Sequence, residues 1–343
     1  MLPLFMTNLS ALKTLLDSPK RVVIVTHFKP DADALGSSLG LANLLVKKGH
    51  NVSVISPSDY PDFLAWMPGK ELVLAISTRA AQQKAAELVA QAEVIFCLDF
   101  SSLKRIHEVG PMVANAKGTK IMVDHHLEPE DFAAMKKWDV ASASTAQLIF
   151  ELIYEFGDQH LIDANIATCL YAGLMTDTGG FRHNNTTRRE FEVASELVRF
   201  GAQPSEVAKQ IYDTNSLERL RLTGYALSEK LVVLSEYRTA YMTLTRAELS
   251  EFGAQTGDTE GLVNYGLSIK GIKMAVLMYD RGEEIKLSFR SLSDFDVNAL
   301  ARKHFEGGGH KNASGGQSKL SLEATLQKFL SILPEYKTEL TRI

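Results

Sequence analysis

The chain has 343 residues, 45% of them hydrophobic and 23% charged, with a formal net charge of −4. That length allows two ordinary domains whose cores need no covalent staples, and the composition is that of a soluble globular protein, not a disordered or fibrous one. The negative balance excludes a broad basic surface for long duplex nucleic acid but leaves room for a local cationic pocket.

The opening stretch MLPLFMTNLSALKTLL reads as an amphipathic helix. It lacks a basic leader region, and no run of about 18 apolar residues occurs, so neither a secretion signal nor a membrane partner is expected. Arg21 to Thr26 (RVVIVT) is rich in β-branched side chains and reads as a buried strand that stops at His27. A loop with Pro30, Asp31 and Asp33 follows, then a helix from about Ala34 to Lys48. Asn51–Ser56 is a second strand, 57–69 a Pro-containing loop, and Thr78–Ala92 a helix. Strands Glu93–Asp99 and Lys120–Asp124 come next, the latter running into His125 and His126. The two cysteines, Cys97 and Cys169, lie in apolar runs and form no disulfide framework, which suits a reducing, cytoplasmic setting. This alternation predicts an α/β domain with a doubly wound, mostly parallel sheet.

Helices are then expected over Ser144–Phe156, Ala164–Met175, Arg188–Phe200, Pro204–Tyr212 and Leu217–Leu231, the second stopped by the glycines of Thr176–Gly180. Strands Thr239–Thr245, Ile272–Asp280 and Glu284–Ser291 follow, with helices near Glu260–Leu267, over Val297–Phe305, and from about Leu322 to Leu333. This half reads as a smaller α+β domain. The expected division is residues 1–215, a helical linker over 216–228, and 229–343, with a cleft between the domains.

Three strands of the first sheet end at His27, at Asp99 and at Asp124-His125-His126, and parallel strands put such ends on one edge, where open α/β sheets bind ligands. Asp31 and Asp33, two residues apart in a loop, repel each other unless a cation joins them. Mixed imidazole and carboxylate donors suit manganese, iron or zinc better than calcium or magnesium. Two metals about 3.5–4 Å apart sharing a carboxylate form the usual clamp for phosphoryl transfer, and Asp99, alone at a strand end, suits the shared position. Each residue has an ordinary alternative: Asp33 or Asp99 as a helix cap, the His-His pair as a loop, Asp177 as a surface acid, Gly307–His310 as a flexible turn. Their coincidence at strand ends favours the metal site.

The HxxxDxD of His27, Asp31 and Asp33, the lone Asp99, MVDHH with Asp124, His125 and His126, and TDTGGF around Asp177 resemble the four motifs of the DHH phosphoesterase family. SFRS (288–291), DVNALA (296–301) and GGGHKNASG (307–315) resemble its substrate-binding DHHA1 domain. The likeness covers nearly the whole chain. Within the family it is similar to the bifunctional oligoribonucleases, or nanoRNases, that also dephosphorylate 3′-phosphoadenosine 5′-phosphate (pAp). The resemblance implies two Mn²⁺ (or Mg²⁺ or another divalent ion), one held by His27 and Asp31, the other by Asp33, His125 and Asp177, with Asp99 bridging. It implies a catalytic set of Asp99, Asp124 and His126, with Asp124 behind a histidine and His126 at the phosphate. Substrate binding would fall to Arg290, Ser291, Gly307, Gly308, Gly309 and His310.

The implied activity is hydrolysis of short oligoribonucleotides, dinucleotides to about pentamers, or of the 3′-phosphate of pAp, so the expected partners are short RNA and nucleoside bisphosphates. Substrates spanning the cleft would make it a ruler that favours short molecules. Alternatives are a linear or cyclic dinucleotide phosphodiesterase, an inorganic pyro- or polyphosphatase and, from another class, a catalytically silent nucleotide-binding protein. From Arg281 to Lys311 six Lys/Arg face five Asp/Glu. That balance can hold a terminal phosphate but cannot track a long backbone. A homodimer is compatible with the sequence, with no residue to identify it. One departure stands out: the family often has glycine where Ala32 lies between the two aspartates. A left-handed backbone there would strain alanine by about 1 kcal/mol; an unstrained one is expected.

Overall fold

The computed structural model describes residues 6–342, so the first five residues of the expected opening helix lie outside the described residues. The chain divides into two compact units, 1–214 and 215–343.

In the first unit, helix α1 (Leu9–Leu15) precedes β1 (Arg21–Val25), α2 (Ala32–Lys47), β2 (Asn51–Ser56), β3 (Val73–Ala75), α3 (Arg79–Gln91), β4 (Val94–Leu98), α4 (Val109–Asn115), β5 (Thr119–Asp124) and β6 (Met135–Trp138). Helices α5 (Thr145–Phe156), α6 (Ala164–Asp177), α7 (Arg188–Arg199) and α8 (Pro204–Tyr212) complete it. The six strands form one parallel sheet in the order β3-β2-β1-β4-β5-β6. Alternate residues of a strand face opposite sides, and both sides are covered. Val22, Ile24, Phe96 and Leu98 pack toward α2, α5 and α6, whereas Val23, Val25, Ile95 and Cys97 pack toward α3 and α4. Continuous apolar runs are what such doubly covered strands require. Both cysteines are buried free thiols, and burial pushes Cys97 up to about 12.

The second unit holds α9 (Leu217–Tyr225), continued by a π-turn at Ala226–Lys230, then β7 (Val232–Leu234), β8 (Thr239–Leu244), α10 (Arg246–Glu251), α11 (Leu262–Leu267), β9 (Met274–Asp280) and β10 (Ile285–Ser291). It ends with α12 (Val297–His304), β11 (Gly308–His310), β12 (Ala313–Ser318) and α13 (Leu322–Thr341). The sheet order is β11-β12-β10-β9-β8-β7, antiparallel except for β8 and β9. The segment expected as a linker is part of this unit's core, where Leu222 and Ala226 pack with Met242, Leu244 and Leu262.

The glycine run, for which a flexible turn was the ordinary alternative, is one arm of a hairpin, with Gly308 opposite Gly315 and Gly309 opposite Ser314. Its glycines answer to close packing: a Cβ at Gly307 would sit 2.3 Å from the carbonyl oxygen of Gly315. Helix α13 continues through Pro334 for two more turns, since Leu340 buries beside Phe329, Ile332 and Leu333. Among the described residues no helix is long and apolar enough to cross a membrane.

Candidate metal centre

The strand order reverses between β1 and β4, so the chain leaving these neighbours turns to opposite faces and opens a crevice at their carboxyl ends. His27 follows β1 and Asp99 follows β4. Asp124 ends β5, with His125 and His126 next, and Asp177 is the last residue of α6. Asp31, not Asp33, caps α2: its Oδ1 accepts from the Asp33 and Ala34 N–H groups at 3.0 Å each. Ala32 is the first residue of α2 and is absent from the left-handed positions, so alanine is unstrained there. Asp33 lies in the first turn, buried, and accepts from the N-terminal amides of α5, Thr145 at 2.6 Å and Ala146 at 2.8 Å. Asp99 holds a left-handed φ of 66°, an uncommon state for a non-glycine residue that turns its carboxylate off the strand axis.

The carboxylate of Asp99 is shared. Its Oδ2 lies 3.5 Å from His27 Nε2 and its Oδ1 lies 3.5 Å from His125 Nε2. His27 Nε2 also faces Asp31 Oδ2 at 3.8 Å, and His125 Nε2 faces Asp33 Oδ2 at 3.7 Å and Asp177 Oδ2 at 3.4 Å. These distances define two trios, His27-Asp31-Asp99 and Asp33-His125-Asp177, each with donor atoms within 4.8 Å of one another; Asp99, Asp124 and His126 form a further such group. The separations are too long for strong hydrogen bonds. They approach the spacing of two donors on one ion, since ligands at about 2.1 Å and roughly 90–120° apart lie about 3.0–3.6 Å from each other.

The ring orientations agree. His27 Nδ1 meets the Phe28 carbonyl at 3.0 Å and His125 Nδ1 meets that of Ser142 at 3.1 Å. A carbonyl only accepts, so each Nδ1 carries a proton and each Nε2 is aimed at the carboxylates, the tautomer that metal-binding histidines adopt. His126 is oriented differently. Its Nδ1 donates to Asp124 Oδ1 at 2.8 Å and stands 3.7 Å from Asp99 Oδ1.

The titration of the cluster shows the same need for positive charge. Burial alone would lower His27, but its close contacts with Asp31 and Asp99 raise it to about 10. Burial likewise opposes the charged form of His125, yet Asp177 and Asp99 hold it well above the ordinary histidine range. Burial, then the charges of Asp99 and Asp177, keep Asp33 well above the usual carboxylate range. Asp177 is pushed up to about 6 by burial and by its acidic neighbours, against the pull of His125. Protons gather where carboxylates crowd, and divalent cations would displace them. The donor set therefore fits metal.

Sequence motifs did not point to the groups that hold these ligands. Thr145 is fully buried, and its Oγ1 donates to Asp99 Oδ1 at 2.8 Å. Asn185 Nδ2 donates to the carbonyl of Asp177 at 3.1 Å and thereby ties down the segment after α6. The S-x-x-Q pattern of Ser144–Gln147, with Ser144 Oγ accepting from Gln147 N–H at 3.0 Å, was the available sign that a capped helix begins here. Thr145→Val is expected to weaken metal binding about 10- to 100-fold, the usual cost of losing a group that orients a ligand. Thr145→Ser should retain most of it, as calorimetric titration with Mn²⁺ would show.

In the second unit, Arg290 lies on β10 and donates to the Phe289 carbonyl at 3.0 Å. Gly308, Gly309 and His310 form β11, paired to β12 next to β10, and Gly307 directly precedes it. Ser291 is placed differently. It lies on the opposite face of β10 from Arg290, buried, with its Oγ donating to the Phe295 carbonyl at 2.7 Å and accepting from Asn312 at 2.9 Å. It braces the turn into α12.

Fold and site define a class: a two-unit chain whose parallel α/β unit carries a histidine–aspartate cluster at its switch point. The DHH family, N-terminal domain, matches residues 21–174, and the DHHA1 domain matches 237–339. The bifunctional oligoribonuclease and PAP phosphatase NrnA of Bacillus subtilis is 30% identical, over 86% of this chain and 88% of that one. Its Thermus thermophilus namesake is 31% identical, over 94% and 90%. A crystal structure of an exopolyphosphatase-related protein from Bacteroides fragilis superimposes with a TM-score of 0.91 at 41% identity, covering 97% of each chain. The chain belongs to the DHH/DHHA1 phosphoesterase family and is a hydrolase acting on phosphate esters.

Proposed function

We propose that this hydrolase cleaves short oligoribonucleotides, dinucleotides to about pentamers, to mononucleotides and removes the 3′-phosphate of pAp, with two divalent ions, manganese by preference. The observation that carries the reading is Asp99, one carboxylate oxygen turned to His27 and the other to His125. The relatives that align over 86% and 94% of this chain bear these two activities in their names. His27, Asp31 and Asp99 would hold one ion, and Asp33, His125, Asp177 and Asp99 the other. Ions bound there supply Lewis-acid charge to phosphoryl oxygens and acidify a water for attack.

The chain's own groups do the rest. Asp124 accepts a hydrogen bond from His126 Nδ1–H, which leaves Nε2 to carry a proton toward the phosphate or the departing nucleoside oxygen. In the second unit, Arg290 can grip a phosphate with two parallel bonds, and the Gly307–Gly309 backbone can approach a nucleotide closely.

The test is a side-by-side hydrolysis assay with Mn²⁺ on a 5′-labelled RNA dinucleotide, an RNA of about two dozen nucleotides, pAp, pGpG and pyrophosphate. Rapid turnover of the dinucleotide and pAp, with the long RNA slow and pyrophosphate intact, is expected. Turnover of pyrophosphate alone would keep the metal centre and discard the nucleotide reading of the second unit. Turnover of pGpG alone would make the chain a dedicated dinucleotide phosphodiesterase.

A further inference from the structure

The loops after β1 and β4 are tied together beside His27. Phe28, whose carbonyl faces His27 Nδ1, donates its N–H to the carbonyl of Arg105 at 2.8 Å. Arg105 sits on a single 3₁₀ turn, Leu103–Ile106, shortly after Asp99. The turn is braced from several sides. Ile106 is fully buried, and Ser102 Oγ accepts from Lys104 N–H at 3.2 Å. Glu130, in the loop after β5, accepts from Ser102 Oγ at 2.7 Å on one oxygen and from Leu103 N–H at 3.1 Å on the other.

Arg105 is half-buried beside the His27 loop, to which its backbone is bonded. Among the described residues, however, its guanidinium makes no hydrogen bond and no ion pair with any carboxylate. The acid built into the turn, Glu130, is already committed to Ser102 and Leu103. A partly buried guanidinium ordinarily has an anionic partner, and the described residues provide none here.

We propose that Arg105 binds a non-bridging phosphate oxygen of the substrate from the His27 side of the centre. The inference rests on the phosphoesterase reading. His27 meets Asp99 through Oδ2, whereas His126 lies nearer Oδ1, so Arg105 and His126 would address the phosphate from different sides. A planar guanidinium matches phosphate with two parallel bonds that strengthen as charge develops on the oxygens. Its rigid turn means little ordering is needed when substrate arrives.

The experiment compares wild type, Arg105→Ala and Arg105→Lys, all loaded with Mn²⁺. Inorganic phosphate is titrated calorimetrically, and hydrolysis of bis(p-nitrophenyl) phosphate and of an RNA dinucleotide is followed. In Arg105→Ala, phosphate affinity should fall at least about tenfold and kcat/KM for both diesters by on the order of 10². The lysine variant should fall between, with Mn²⁺ affinity and Tm unchanged in both. Equal phosphate affinity and equal kcat/KM in all three proteins would overturn the proposal. So would a loss of Mn²⁺ affinity or Tm that tracks the loss of activity, since Arg105 would then be a brace. If the alanine variant does not fold, the lysine variant decides. A wild type that binds phosphate and cleaves the aryl diester but leaves the dinucleotide intact refutes the RNA substrate, and the Arg105 result still stands or falls on the other two readouts.

Discussion

Asp99→Ala and Asp99→Asn are expected to lose turnover by on the order of 10⁴-fold, the scale at which groups acting as a unit fail together. Asp99 is the only carboxylate with an oxygen toward each of His27 and His125 among the ligand contacts described. Removing it strips a donor from both trios at once. The asparagine keeps the volume, so packing around the buried side chain should survive. It removes the negative charge that makes a crowded histidine–carboxylate cluster a cation site. Titration with Mn²⁺ should show affinity falling at both sites rather than one. Unchanged turnover in either variant would overturn the assignment of Asp99 as the shared ligand.

His126→Ala should lower kcat by about 10²–10³-fold, the range for removing a proton carrier or a charge-stabilising donor, with Mn²⁺ affinity close to wild type. Its Nδ1 is committed to Asp124 at 2.8 Å, and it is in neither the His27-Asp31-Asp99 nor the Asp33-His125-Asp177 trio, although it forms a further group of donors with Asp99 and Asp124. Asp124→Asn should be damaging for a related reason. An amide can donate where the carboxylate accepted, and it would turn His126 to the opposite tautomer. Isothermal titration beside steady-state kinetics separates the two roles. A fall in Mn²⁺ affinity comparable to that of the Asp99 variants would mean that His126 is a ligand, and the division drawn here would be wrong.

The central strands were legible because burial on both faces leaves no polar alternation to confuse them: VVIV and VIFCL are continuous apolar runs. The residues at their ends were legible for the same reason, since polar groups directly after such a run stand at the sheet's edge. Edge strands were not legible. β6 reads Met-Lys-Lys-Trp, and nothing local shows that Lys137 is fully buried against Glu155 at 2.5 Å, an ion pair made with a distant helix. β3 and β7 are three residues long, too short for periodicity to register. β11 and β12 are rich in glycine, which reads as a turn until the pairing of Gly308 with Gly315 is seen. The extent of α13 was hidden by Pro334, because the burial of Leu340 that carries the helix onward is tertiary. At the cluster, the residues that come together and their order could be read, but Thr145 and Arg105 could not. Their importance lies in what they face across the fold.

The dispersal of the ligands along the chain has a kinetic meaning. His27, Asp99, His125 and Asp177 reach one another only after β1 has paired with β4, β4 with β5, and α6 has docked on α2. These are non-local contacts, slow to close because loop entropy must be overcome before any contact repays it. An ion that needs all these groups would therefore be captured late in the maturation of this chain, unlike in a zinc finger, where the ion organises a short segment from the outset. A nascent or stalled polypeptide that has not reached Asp177 cannot assemble the second trio, so the site of this phosphoesterase is complete only once its fold is finished.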